Sequence, residues 1–264
     1  MIATYVAYAK VSAQQQFQYR AANYFFMIGM VVEPIIYLVV WSTIAESNGG
    51  QIEGFTPGTF AAYYIVWTLV RNMNIVLTPY SWESRIKDGQ FSGQLLRPVH
   101  PVHEDLASFI GWKFVVILLW IPIAVVLSLL FRPELHPTAR QVAVFAVAIW
   151  GAYLIRALMQ WSLGLITFWT TRVGAIFDAW YLSELLLSGR LFPLQLMPSW
   201  MRSIGRFLPF QWTFAFPITA LTGPITDREL LVGVGAQIVW IAVAIAVLRL
   251  VWPRAVRRFS SVGG

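Results

Sequence analysis

Two histidines three residues apart, His100 and His103, with Glu104 beside them and His136 further on, are the side chains best suited to hold a metal or move a proton. His103-Glu104 opens the zinc-protease pattern H-E-x-x-H, but Ala107 stands where the second histidine is required. A catalytic zinc takes three protein ligands and one open position. His100 and His103 supply two, and His136 is expected on the opposite side of the apolar segments between them. The nucleophile elbow G-x-S-x-G does not occur. Nor does the phosphate-cradling loop G-x-x-x-x-G-K-S/T, since no Gly-Lys pair exists anywhere in the chain. The residues therefore predict neither a metal site nor catalysis within this polypeptide.

Charges inside apolar runs are the other candidates for chemistry. Glu33 precedes Pro34, and Arg71, Arg156, Asp178 and Glu184 lie within or beside further apolar stretches. An unpaired charge at such a position is expensive in hydrocarbon. These residues either line a polar path, where carboxylates could shuttle protons, or pair with one another and hold helices in register. Glu33 with Arg71 or with Arg156 is the pairing the sequence allows, and an opposite charge offsets much of the burial cost.

The elements that carry these residues follow from composition. The chain is 58% hydrophobic and 12% charged, with 13 Trp, 10 Tyr and 18 Phe; an average soluble domain is about 25% charged. A bilayer accommodates that much apolar surface, and aromatic rings gather at its interfaces. The net charge of +7 is spread between apolar blocks, unlike the single basic face of a nucleic-acid-binding domain. The absence of cysteine excludes disulfides and thiolate metal sites. The expected fold is an all-α integral membrane domain over 1–264. Six stretches meet the need for about 20 apolar residues per span: 24–45, 58–80, 106–131, 141–169, 173–193 and 229–252. The first run begins only near Tyr24 and no small-x-small site follows it, so it reads as a retained span rather than a cleaved signal.

Lysine and arginine set the expected orientation. With the N-terminus inside, Lys10, Arg20, Arg85, Lys87, Arg97, Lys113, Arg172, Arg249, Arg254, Arg257 and Arg258 fall on the inner side. Arg132, Arg140, Arg190, Arg202, Arg206 and Arg228 fall outside. Both termini are then cytoplasmic. Within 1–22, Tyr5, Ala9, Ala13 and Phe17 recur every fourth residue and predict an amphipathic helix in the inner interface. Residues 83–105 are the most polar stretch, punctuated by Gly89, Gly93, Pro98 and Pro101, with short helices expected near 82–90 and 94–97. Residues 194–224 are too apolar for a free loop and too rich in proline for a span. They predict a pair of short re-entrant helices, whose backbone survives at membrane depth only where protein or water satisfies it. A basic tail, 253–264, closes the chain. Gly29, Ala152 and Gly164 mark candidate helix contacts.

Two stretches carry a family resemblance. R-I-K-D-G-Q-F-S-G-Q-L-L-R-P, from Arg85 to Pro98, is similar to the polar segment after the second span of the permeases of type-2 ABC exporters. S-G-R-L-F-P from Ser188 to Pro193, L-M-P-S-W from Leu196 to Trp200, and Leu208-Pro209-Phe210 resemble the segment before their last span. The order of elements over the whole chain resembles a group of bacterial permeases of unassigned substrate. The resemblance implies an exporter subunit of the bacterial inner membrane that is not itself catalytic. Its partners would be a second permease chain, identical or related, membrane lipid, and two copies of an ABC ATPase that holds ATP and Mg; nucleic acid is not expected. It implies a coupling segment with Arg85, Lys87, Asp88, Gln94 and Arg97 toward that ATPase. It also implies an outer gate hairpin with Phe192, Pro193, Trp200, Pro209 and Phe210. The alternative is a stand-alone secondary transporter or channel that uses Glu33, Asp178 or Glu184.

Overall fold

A computed structural model describes residues 2–170 and 173–258, the Lys87 side chain excepted; Arg172, used above for orientation, and the tail beyond Arg258 lie outside the described residues. In chain order the helices are α1 (Ile2–Gln18), α2 (Arg20–Ser47), α3 (Pro57–Met73), α4 (Pro79–Lys87), α5 (Gln90–Leu95) and α6 (Pro101–Phe131). They continue with α7 (Ala139–Gly164), α8 (Gly174–Leu187), α9 (Ser199–Arg206), α10 (Phe210–Thr213), α11 (Ala215–Thr222) and α12 (Asp227–Arg258). No strand occurs among the described residues; Ile52 and Phe55 form an isolated bridge in the α2–α3 loop.

Four helices are long and apolar enough to cross a membrane: α2, α6, α7 with its 3-10 extension Leu165–Phe168, and α12. Their outward stripes are apolar at helical spacing, as in Phe25, Ile28, Val32, Ile36 and Val39 of α2 and Phe114, Leu118, Ile121, Val125 and Leu129 of α6. Large apolar side chains left exposed in continuous stripes have hydrocarbon as their natural solvent.

The helix expected at 58–80 stops at Met73. Asn74 closes it, residues 74–78 leave the helix, and Pro79 starts α4 as its first residue, where a missing N–H costs nothing. With 17 residues α3 is about 25 Å long. It lies at the centre of the bundle: every residue from Phe60 to Val70 is buried. The helix expected at 173–193 is likewise shorter. α8 has 14 residues and ends before Ser188, because Gly189 takes a left-handed φ of 84° that turns the chain back into the bundle. α6 starts five residues earlier than expected, at Pro101, capped by His100. The two re-entrant helices expected over 194–224 are three, α9, α10 and α11. Pro209 begins α10, and Phe214, with ψ of −68°, divides α10 from α11.

α1 does not float free of the bundle. It packs along the first half of α6, and the contact is set by Gly111, where an added Cβ would come within 2.0 Å of the Ala9 carbonyl oxygen. Tyr5, Ala9 and Ala13, expected to form the face of an interfacial helix, are half-buried, and Phe17 is exposed. It joins Ile2 and Val6 on an outer flank, with Gln14 and Gln18 on the other. Of the candidate small-residue contacts, Gly164 lies under Trp82 and Ala152 is buried, whereas Gly29 has nothing within 4 Å of its Cβ position.

Gly111→Val should therefore force α1 off α6, at a cost of about 1–3 kcal/mol for overpacking. The expected readout is a lower Tm in detergent and faster proteolysis around Tyr19, while Gly29→Val leaves both unchanged. Equal behaviour of the two variants would refute the packing role of Gly111.

Candidate functional site

The polar segment after α3 forms a two-helix element held by one face. Thr78 caps α4 through its Oγ1, which accepts the Ser81 N–H at 3.2 Å. Gly89, at φ 69°, supplies the left-handed turn into α5. Trp82 of α4 is fully buried and stacks edge-on to Trp161 with centroids 4.9 Å apart. A Cβ on Gly164 would lie 2.1 Å from its ring, so only glycine admits it there. Phe91 of α5 is also fully buried and lies against Phe168 and Trp252. Glu83 accepts the Val173 N–H at 3.3 Å. These contacts tie α4 and α5 to the ends of α7 and α12 and the start of α8.

The coupling candidates divide between the two faces. Arg85 turns inward and donates two hydrogen bonds of 2.7 Å to Asp105, whose Oδ2 also accepts the Trp161 indole N–H at 2.8 Å. Such a fork-to-fork pair satisfies both oxygens of a buried carboxylate. Gln94 is half-buried. Asp88 and Arg97 are exposed, with Arg97 in a 2.6 Å ion pair with Glu104. Beside them stand Tyr80 and Leu96, the latter 88% exposed. The outer face therefore carries two exposed apolar side chains and charge of both signs. Sequence reasoning missed Tyr80 and Leu96; for Leu96, an apolar residue inside the polar stretch 83–105 was the available signal, whereas Tyr80 closed the expected span 58–80.

The histidines serve this same region. His100 Nδ1 accepts the Val102 N–H at 3.2 Å, and its ring lies 4.0 Å from the centroid of Trp252. Burial, with His103 beside it, pushes the His100 pKa from 6.5 down to about 4. His103 Nδ1 is engaged by the Tyr5 hydroxyl of α1 at 2.7 Å.

The charges inside the apolar runs form two clusters. Glu33 pairs with Arg71 at 2.6 Å and with Arg190 at 3.2 Å, and it accepts the Tyr37 hydroxyl at 3.1 Å. Both guanidiniums approach the Trp67 ring, at 5.2 and 5.9 Å. Of the two partners considered for Glu33, the structure joins Arg71 and adds Arg190, which the sequence reading placed in an outer loop. Arg156 instead pairs with Glu184, and both are buried. Asp178 is exposed on α8 and joins neither cluster. Lys113, counted with the inner basic residues, is fully buried, and among the described residues no carboxylate pairs with it. Its Nζ donates to the carbonyls of Asn72 (3.0 Å) and Ile75 (2.5 Å) and lies 4.2 Å from the Trp112 ring centroid. A lysine within the apolar run 109–119 was the signal for it.

The hairpin residues also divide. Phe192 packs on Trp41 at 5.8 Å, Pro193 and Pro209 are buried, and buried Phe210 meets Trp180 at 4.9 Å. Trp200 is exposed on α9. Two tyrosines of α3 hold the chain leading into the hairpin: Tyr63 donates to Gly189 O at 2.7 Å and Tyr64 to Leu191 O at 2.9 Å.

Arg85→Glu should leave Asp105 facing a like charge, with a loss of about 3–5 kcal/mol typical of a broken buried pair. Arg97→Glu, on the surface, should leave the detergent Tm unchanged. Thermal melts of the two variants check the contrast. For His100, the folded state keeps the ring neutral and the unfolded state protonates it, so stability falls as pH drops from about 6.5 toward about 4. His100→Phe should flatten the dependence of Tm on pH across that window.

No curated protein matches the chain. A family model described as "ABC-2 family transporter protein" matches residues 31–263, from α2 to beyond α12. An apolar helical bundle with four helices, among the described residues, long enough to cross a membrane agrees with that match. The chain belongs to the ABC-2 transporter family and is a membrane-embedded transport component.

Proposed function

We propose that this chain is the permease half of an ATP-driven exporter, in which α4 and α5 form the element that a separate ATPase pushes. The observation that carries the reading is the two-faced construction of this element. Its inner face is locked to α6, α7, α12 and the start of α8 by Arg85, Trp82, Phe91 and Glu83. Its outer face presents Tyr80, Asp88, Leu96 and Arg97. A force on the outer face is transmitted to four helices at once, because close-packed interiors pass on displacement instead of absorbing it. Lys87, whose side chain lies outside the described residues, is a contact candidate from the sequence alone, and Gln94 sits at the edge of the face. ATP and Mg would be held by the ATPase, two copies of which serve two permease chains, identical or related.

In this reading α3 and α8 complete six spans. The short α3 is surrounded by protein, and α8 is extended by the chain that enters the hairpin. The end of the bundle holding α1, α4, α5 and the last turns of α12 is cytoplasmic in the bacterial inner membrane; Arg254, Arg257 and Arg258 cluster there. Phe192, Pro193, Pro209 and Phe210 anchor the outer gate, with Trp200 at the interface. Glu33, Arg71 and Arg190 border the path, and Arg156 with Glu184 hold α7 to α8. Engagement of Glu33 and Glu184 by arginines favours this over ion-coupled transport by free carboxylates.

The test is a pull-down of the tagged chain in mild detergent, followed by an ATPase assay. Wild type should bring down a protein with a Walker motif and ATP hydrolysis. The surface variant Asp88→Lys/Arg97→Glu should stay monodisperse and lose both. A chain that purifies alone, with no nucleotide-dependent activity, overturns the reading.

A further inference from the structure

Between α9 and the first turns of α12 lies a cavity of about 600 Å³, large enough for a small-molecule headgroup. One wall is cationic: Arg202 and Arg206, four residues apart, line it from the same face of α9. Among the described residues neither guanidinium has a hydrogen-bond or ion-pair partner. The carboxylate in the lining, Glu229, is turned back to cap its own helix, accepting the Thr226 N–H at 2.8 Å and its hydroxyl at 2.7 Å. Asp227 nearby is taken by Arg140. Gln211, buried in the wall, makes no hydrogen bond to the described residues. The opposite wall is apolar, with Trp212, Phe216 and Val232.

The cavity continues into an apolar track. On α12, Val232 in its lining and the neighbouring Leu231 are 57% and 75% exposed, and Ile238 and Val239, two turns further along the same helix, are 62% and 60% exposed. Gly235 between them has nothing within 4 Å of its Cβ position and leaves a shallow groove. A cationic, hydrogen-bonding head pocket joined to an apolar stripe on a membrane-crossing helix matches one kind of molecule.

We propose that this cavity binds the phosphate headgroup of an anionic amphiphile, with its chains along the Leu231–Val239 stripe of α12. Paired arginines recognise phosphate oxygens through charge-assisted hydrogen bonds, and Gln211 offers an amide donor to the same group. The indole and phenyl walls pack on the glycerol and the first methylenes. A soluble phosphate would use the arginines alone; the track gives the bound species its chains.

The experiment is native mass spectrometry of the full chain in mild detergent, titrated with dihexanoyl phosphatidylglycerol, dihexanoyl phosphatidylcholine or glycerol phosphate. Phosphatidylglycerol should saturate one site about tenfold more tightly than either of the others. The double variant R202Q/R206Q, altered at exposed positions, should lose about tenfold in that affinity. V232W, which fills the cavity from α12 without touching its charge, should lose at least as much. Circular dichroism melts matching wild type exclude misfolding of either variant. Unchanged phosphatidylglycerol binding in both variants, or equal binding of the two lipids, overturns the proposal. Glycerol phosphate binding as tightly as the lipid makes the occupant a free anion and overturns the amphiphile assignment. Binding is measured on this chain alone, so its failure is separable from a failure to recover an ATPase.

Discussion

The interruption between α3 and α4 places non-helical backbone in the interior of the bundle, where each unmet polar group is costly. Lys113 meets that constraint. Its Nζ donates to the carbonyls of Asn72 and Ile75 at the end of α3 and rests on the Trp112 ring. The Asn74 amide crosses to the Thr213 carbonyl at 2.7 Å, which ties the same break to α10. The Trp120 indole donates to Thr68, which in turn donates to the Ile65 carbonyl. Through these bonds the most buried helix, α3, is fixed to α6 on one side and to the hairpin on the other. Neither the two-helix element that follows nor the hairpin could hold its place if this break were unsatisfied.

The break also explains how α4 and α5 can act as a body distinct from α3. A continuous helix would carry any push along its own axis. The non-helical stretch at 74–78 separates the two helix axes, while Trp82, Arg85 and Phe91 clamp the element sideways onto α6, α7 and α12. Aromatic packing supplies most of that clamp, and the Arg85–Asp105 fork fixes its register. α1 reinforces it from the other flank through Tyr5 and His103.

At the opposite end α3 plays the same organising part with tyrosines. Tyr63 and Tyr64 accept no partner from their own helix and donate instead to the turn at Gly189–Leu191, which starts the path into α9, α10 and α11. Gln237 of α12 donates to the carbonyls of Ala148 and Trp212, so α7, α10 and α12 meet at one amide. The two arginine–carboxylate clusters lie between these ends. Glu33 bridges α2, α3 and the chain after α8, which is distant in sequence, whereas Glu184 bridges the consecutive helices α8 and α7.

Class and setting were legible in the sequence because they depend on composition and on runs of apolar residues, which are properties of single segments. The long helices α2, α6, α7 and α12, the short helices near Gly89, and the proline-broken stretch before α12 all follow from local propensity and periodicity. The tertiary structure decided how the ends of α3 and α8 are held, since Lys113 reaches the first from α6, Asn74 ties it to α10, and two tyrosines of α3 reach the turn after α8. It also decided that Arg85 turns inward while Arg97 turns out, and that Arg190 shares Glu33 with Arg71. Charge type is written in the sequence, but the partner of a charge depends on which helix faces which, and that is settled only when small residues such as Gly111 and Gly164 let particular helices approach.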